Sequence, residues 1–192
     1  MLNIILLGLT SLLADFSSEM IVPILPFFIK SVGGGGVAVG LIFGFGDAVA
    51  AILRVFSGYW ADKTKRYKLF VFGGYAFSAI AKFLYPLASN WQQIGAIRPI
   101  ERMGKGFRDA PRDAIVSESL VSGKRGYGFG IQRAMDSIGA IIGSVFVLIL
   151  FVYFSLPFKT LFWLSAFIAL GAVAPILFVK VPERLRLSAR TV

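Results

Sequence analysis

Five long apolar runs, near residues 3–30, 37–60, 69–88, 127–154 and 160–180, dominate this chain of 192 residues. Each is long enough to cross a hydrocarbon core of about 30 Å as a helix, which takes about 20 residues. A soluble domain of this length does not need 57% hydrophobic residues or 19 Phe. The first run lacks a basic n-region and an A-x-A-like cleavage site, so no cleavable signal peptide is expected. The connections are short and none has the composition of an interdomain linker. Residues 1–192 therefore read as one all-α transmembrane bundle.

The segment at 91–116 decides the number of spans. It carries Arg98, Glu101, Arg102, Lys105, Arg108, Asp109, Arg112 and Asp113, and hydropathy alone would reject it. Counting it as a sixth span, with both termini cytoplasmic, puts Lys63, Lys65, Arg66, Lys68, Lys124, Arg125, Lys180, Arg184, Arg186 and Arg190 on the inner side. Only Lys30 and Lys159 then lie near outer ends. With five spans, one basic cluster would face outward, against the positive-inside bias. Six spans is the reading adopted.

Charges at a helix centre cost about 2.5–3.5 kcal/mol each on insertion scales, so several together need a compensating environment. Arg98, Arg102, Lys105, Asp109 and Arg112 recur at steps of four, three, four and three, a single helical stripe. Arg98, Glu101, Arg102 and Lys105 are expected at depth, facing a watery cavity or a polar helix. Arg108 to Asp113 are expected near the inner interface, with side chains able to snorkel. Asp15 and Glu19, four residues apart on the first span, are candidate partners. A rise of about 1.5 Å per residue puts Asp15 roughly 12 Å, and Arg98 and Arg102 roughly 10–16 Å, below the outer edge. An ion pair of Asp15 with Arg98 or Arg102 is therefore expected. Asp47 falls near mid-membrane, Arg133 and Asp136 fall in the inner half of the fifth span, and Lys82 is read as a snorkelling structural cation. Gly139-x-x-x-Gly143 is a small-residue face suited to close helix packing.

The inner connection Gly58-Tyr-Trp-Ala-Asp62-Lys63-Thr-Lys65-Arg66-Tyr-Lys68 resembles the loop after the second span of major facilitator superfamily transporters. Lys65 stands where that family has its loop glycine. Asp15-Phe-Ser-Ser-Glu19-Met-Ile-Val-Pro23-Ile-Leu-Pro26 looks like the first span of a prokaryotic branch of the same family. Arg98-x-x-x-Arg102-x-Gly104-Lys105-Gly106-x-Arg108-x-x-Pro111-Arg112-Asp113 looks like its fourth, and Arg125-Gly-x-x-Phe129-Gly with Arg133 and Asp136 like the entry to its fifth. Ser144 follows Gly143 where exchange transporters of the family carry Pro, so no exchange assignment is carried over.

The resemblance implies a six-helix bundle of two three-helix inverted repeats, alternating access, and secondary transport of a small solute coupled to protons or ions. It implies a coupling cavity among Asp15, Glu19, Asp47, Arg98, Glu101, Arg102, Lys105, Arg133 and Asp136. It also implies a cytoplasmic gate in which Gly58, Asp62, Lys63 and Arg66 work with Arg112 and Asp113. A whole transporter of this kind has twelve spans in two bundles. The expected partners are therefore the lipid bilayer of the plasma membrane, a small-molecule substrate, and either a second copy or a second six-span half. Two-fold association would copy the pseudo-symmetry of the full fold. A truncated half or a non-transporting subunit that scaffolds a partner is the alternative.

Other classes fare worse. With no Cys and no His, thiolate chemistry and the usual neutral-pH base are missing, so neither enzyme chemistry nor a metal or cofactor is expected. Gly104-Lys105-Gly106 lacks the spacing and preceding strand of a nucleotide loop. The net charge of +10 lies beside apolar runs, where anionic headgroups rather than nucleic acid are the natural counterpart.

Overall fold

The computed structural model describes residues 2–120, 123–183 and 185; Arg184, Arg186 and Arg190 of the expected inner cluster lie outside them. The described chain is all helix, turn and connection. Helix α1 (Leu2–Ile21) breaks around Pro23 and continues as α2 (Leu25–Ser31). Then come α3 (Gly36–Thr64), α4 (Tyr67–Lys82), α5 (Trp91–Glu118), α6 (Arg125–Val152) and α7 (Phe158–Gly171). Short 3₁₀ turns, Tyr85–Leu87 and Ala174–Phe178, extend α4 and α7. By length and composition, five stretches are apolar enough to cross a membrane: α1 with α2, α3, α4 with its turn, α6, and α7 with its turn. Charged α5 is the sixth long element and runs unbroken through Pro99 and Pro111. Its start is fixed by side chains: the N–H of Gln93 donates to Asn90 Oδ1 (2.9 Å), and the N–H of Ser89 donates to Gln93 Oε1 (2.7 Å).

The packing exchanges the two halves of the chain. The first span packs on α6 and α7; the fourth, α5, packs on α3 and α4; and α4 packs on α7. Swapping the first three spans for the last three exchanges the α1–α6 and α3–α5 contacts, exchanges α1–α7 with α4–α5, and maps α4–α7 onto itself. Each third span also ends in a 3₁₀ turn that contains Pro, Pro86 in one and Pro175 in the other. This is a bundle of two three-helix repeats.

Glycines set the close crossings. A Cβ on Gly74 would sit 2.6 Å from the Gly104 carbonyl oxygen, and one on Gly106 would sit 2.7 Å from that of Ala50. Gly139 and Gly143 lie directly against the Leu12 and Phe16 carbonyls of α1. The Gly139-x-x-x-Gly143 face is thus used inside the bundle. Gly104 and Gly106 act as packing residues of α5.

Two apolar clusters cap the bundle. One gathers Met20, Ile21, Ile24, Phe28, Ile94, Leu161 and Phe162; the other gathers Leu7, Val71, Tyr75, Ile115, Val116 and Ile176. The second lies at the end where Asn3 bonds to Ser119 and to the Lys180 backbone, and Lys68 to the Leu177 carbonyl. We call this the basic end. Between the clusters lies a layer of charged and hydroxyl side chains.

At the basic end α3 stops on Lys65, whose backbone is left-handed (φ 57°) and whose N–H caps the Ala61 carbonyl. A Cβ in that conformation costs about 1–2 kcal/mol. Lys65→Gly should therefore leave stability unchanged or raise it by up to about 1 kcal/mol, whereas Lys65→Val should lower it. Adjacent glycines of α4 give a sharper test. Gly74→Ala should lower unfolding stability in mixed micelles by about 1–3 kcal/mol. Gly73, with open space around it, should accept Ala with a gain of about 0.5–1 kcal/mol. Equal effects at the two positions would contradict the crossing described.

Candidate functional site: a charged cavity between four spans

The charged stripe of α5 is shared among several neighbours rather than turned to one. At the end away from the basic loops, Arg98 (3% exposed) closes on Glu101 (2%) of its own helix at 3.0 Å and lies over the Phe43 ring at 5.0 Å. Arg102 reaches across to Asp47 of α3. In the middle, Arg108 stacks on the Tyr75 ring at 4.1 Å and donates to Ser78 Oγ (3.2 Å). Arg54 of α3 pairs with Asp109 at 2.6 Å.

Toward the basic end, Arg112 pairs with Asp113 (3.1 Å) and with Asp136 of α6 (3.7 Å). Arg133 closes the quartet at 3.9 Å from Asp113 and 3.7 Å from Asp136. Ser11 of α1 is the junction below it. Its Oγ accepts from Arg112 (2.8 Å) and from Gln132 Nε2 (2.7 Å), and lies 2.8 Å from Tyr75 Oη. With both lone pairs occupied, the Ser11 proton points to Tyr75.

A cavity of about 340 Å³ opens beside these groups. Its walls come from α1 (Asp15, Glu19), α3 (Arg54), α5 (Lys105, Arg108, Asp109, Arg112, Asp113) and α6 (Arg133, Asp136, Ser137, Ala140). Of the expected cavity residues, Asp15, Glu19, Lys105, Arg133 and Asp136 line it. Asp47, Arg98, Glu101 and Arg102 are tied up in pairs outside it. The side chains of Asp15, Glu19 and Lys105 have no hydrogen bond or ion pair with another described residue.

Four expectations are corrected. Asp15 does not pair with Arg98 or Arg102. The depths match, but α1 packs chiefly on α6 and α7, and those arginines are taken by Glu101 and by Asp47. Lys82 does not snorkel. It is 1% exposed, and its Nζ donates to Ser17 Oγ (2.7 Å) and Ser18 Oγ (3.0 Å) of α1. Ser17 and Ser165 in turn donate to each other's backbone carbonyls, so the Ser17 lone pairs are free for the ammonium. Arg108, Asp109 and Arg112 are buried, because neighbouring helices enclose α5 along that length. Finally, Arg112 and Asp113 turn to α6 rather than to the connection before α4. There Asp62 accepts from Tyr67 Oη (2.8 Å), while Lys63 and Arg66 stay exposed. Gly58 does lie against α5, with room for a Cβ only 3.4 Å from that of Ala110.

Several members of the network were missed in the sequence. Arg54 had a readable signal, since it lies two helical turns after Asp47 and on the same face. Ser11 and Gln132 stand one turn before Asp15 and Asp136. Tyr75 carried no such mark.

Breaking one side of the buried pair should be severe. Glu101→Gln leaves the Arg98 guanidinium uncompensated and should cost about 3–5 kcal/mol, while the Arg98→Leu/Glu101→Leu double variant should recover most of it. A thermal or mixed-micelle unfolding cycle reads this, and additive losses would mean the two residues do not interact.

Comparison with known proteins agrees with this architecture. The family described as Major Facilitator Superfamily matches residues 7–191. An uncharacterized MFS-type transporter of Methanocaldococcus jannaschii is 46% identical over 93% of this chain and 44% of its own length. Multidrug resistance protein 1 of Bacillus subtilis is 25% identical over 86% of this chain and 42% of its own. Among solved structures, a peptide transporter POT in complex with sulfate superimposes with a TM-score of 0.78 at 18% identity, covering 97% of this chain and 42% of that one. The chain thus spans less than half the length of these relatives.

Proposed function

The chain belongs to the major facilitator superfamily, and we propose that it forms one six-span half of a secondary transporter that moves a small solute by alternating access. It is a multi-pass protein of the plasma membrane. The observation that carries the transport reading is the cavity. Charged side chains from α1, α3, α5 and α6 converge on one cavity of about 340 Å³, in a setting where unpaired charge is costly unless it serves a solute or ion.

One bundle leaves that space open on one side. Helices α3 and α6 bury least of their surface within the chain, which suits a second bundle docking there. The second bundle is either a second copy of this chain or a separate six-span half. The relatives matched here are more than twice as long as the matched region, room for two bundles of this size. Both termini are proposed to be cytoplasmic, with the basic end inward.

Within this reading the quartet of Arg112, Asp113, Arg133 and Asp136 is the coupling and gating element, with Gly58, Asp62, Lys63 and Arg66 beside it on the cytoplasmic surface. Asp136 bridges the two arginines of the quartet, since Arg112 and Arg133 both lean on its Oδ2 at 3.7 Å. The Arg102–Asp47 pair ties α5 to α3, while the Arg98–Glu101 pair neutralises charge within α5. Those static pairs also favour a second reading, a non-transporting subunit that scaffolds a partner.

The test is gradient-driven flux by the assembly purified from its native membrane, whose mass should be that of two bundles. Asp136→Asn should abolish solute accumulation against a gradient while leaving insertion and assembly intact. Unchanged accumulation would remove Asp136 from coupling. No gradient-driven flux in the unaltered assembly would favour the scaffold.

A further inference from the structure

The partner lists of the cavity walls divide its charges into two groups. Arg54 is held by Asp109, and Arg112 and Arg133 by Asp113 and Asp136. Arg108 is held by the Tyr75 face and Ser78. What remains is Lys105 on α5 facing Asp15 and Glu19 on α1, all three lining the same space with no partner within bonding distance among the described residues.

The two carboxylates stand one turn apart on one face of α1, so both point at the same volume. Lys105 borders the same space from α5. Five carboxylates and five cations line the cavity, so it is neutral as a whole. The charge of Arg108, which has no carboxylate of its own, offsets one of the two acids of α1 at longer range. A ligand of one sign would upset that balance in a space walled by membrane-spanning helices, where an uncompensated charge is expensive. A neutral ligand with no charges would leave three charged groups unsatisfied.

We infer that Asp15, Glu19 and Lys105 form the solute-binding subsite of this half, and that it takes amphoteric solutes of no net charge. The ammonium end is held between Asp15 and Glu19. The carboxylate or other anionic end is held by Lys105, which as a flexible point charge accepts a range of anion geometries. The subsite is separate from the quartet at Asp136, so solute and coupling charge occupy different groups in one cavity. This inference rests on the transporter reading above.

Matched probes test it: the ω-amino acids from 4-aminobutyrate to 8-aminooctanoate, each with its amide, which keeps only the ammonium, and its N-acetyl derivative, which keeps only the carboxylate. Binding is measured calorimetrically on the native assembly, beside gradient-driven flux. At least one amino acid should bind about tenfold or more tightly than both of its derivatives. Lys105→Met should weaken that amino acid about tenfold and leave its amide unchanged, with Lys105→Arg restoring binding. Asp15→Asn/Glu19→Gln should weaken the amide and leave the N-acetyl form unchanged.

An amide that binds as well as its amino acid would overturn the role of Lys105. An N-acetyl derivative that does so would overturn that of the two acids. No binding by the whole series, with flux of some other solute intact, would overturn the amphoteric class. No binding and no gradient-driven flux of any solute would sink the transporter reading itself.

Discussion

Ionised side chains on α5 must find partners in a medium that supplies almost no water, and the rest of the bundle is arranged around that requirement. Arg98, Arg102, Arg108 and Arg112 each find a different solution. One pairs within its helix, one with α3, one with an aromatic face of α4, and one with α6 and a serine of α1. No single neighbour could hold them all, so α5 needs helices on several sides. The apolar clusters pack at the two ends of this charged layer.

The same requirement explains the glycines. Short carboxylate and hydroxyl side chains reach α5 only if backbones approach closely, and the Gly74–Gly104 and Ala50–Gly106 contacts bring α4 and α5, and α3 and α5, to that distance. Ser57 and Ser78 use the proximity directly by donating to the backbone carbonyls of Gly106 (2.9 Å) and Glu101 (2.7 Å). Packing and polar satisfaction are therefore one problem here, since loosening a glycine crossing would lengthen hydrogen bonds in the charged layer.

Much of the fold was legible in the sequence because lipid imposes strict rules on length and charge. The six-span reading came from positive-inside bookkeeping, and the bundle of two repeats from the family resemblance of the span motifs. The site was legible only in part. Spacing along a helix identifies which side chains share a face, as it did for Asp15 with Glu19 and for the α5 stripe that includes Lys105, all of which border the cavity. It does not say which helix lies opposite. Depth alone matched Asp15 to Arg98, yet α1 turns its contacts to α6 and α7, a choice made by Gly139 and Gly143 accepting the α1 backbone. Lys82 was misread for a related reason. An isolated cation near a helix end reads as a snorkelling one until α1 is seen to present Ser17 and Ser18 to it.

The repeat symmetry has a mechanical corollary. The close helix pairs, α1 with α6 and α3 with α5, are each bound by glycine against backbone, while contact between the two pairs is sparse. The cavity thus lies in a seam between two stiff plates. The few ion pairs that cross from α5 to α6 act as clasps on that seam. In the proposed transport cycle a change of charge at one clasp therefore bears on both helix pairs at once, since Arg112–Asp136 and Arg133–Asp113 join α5 to α6.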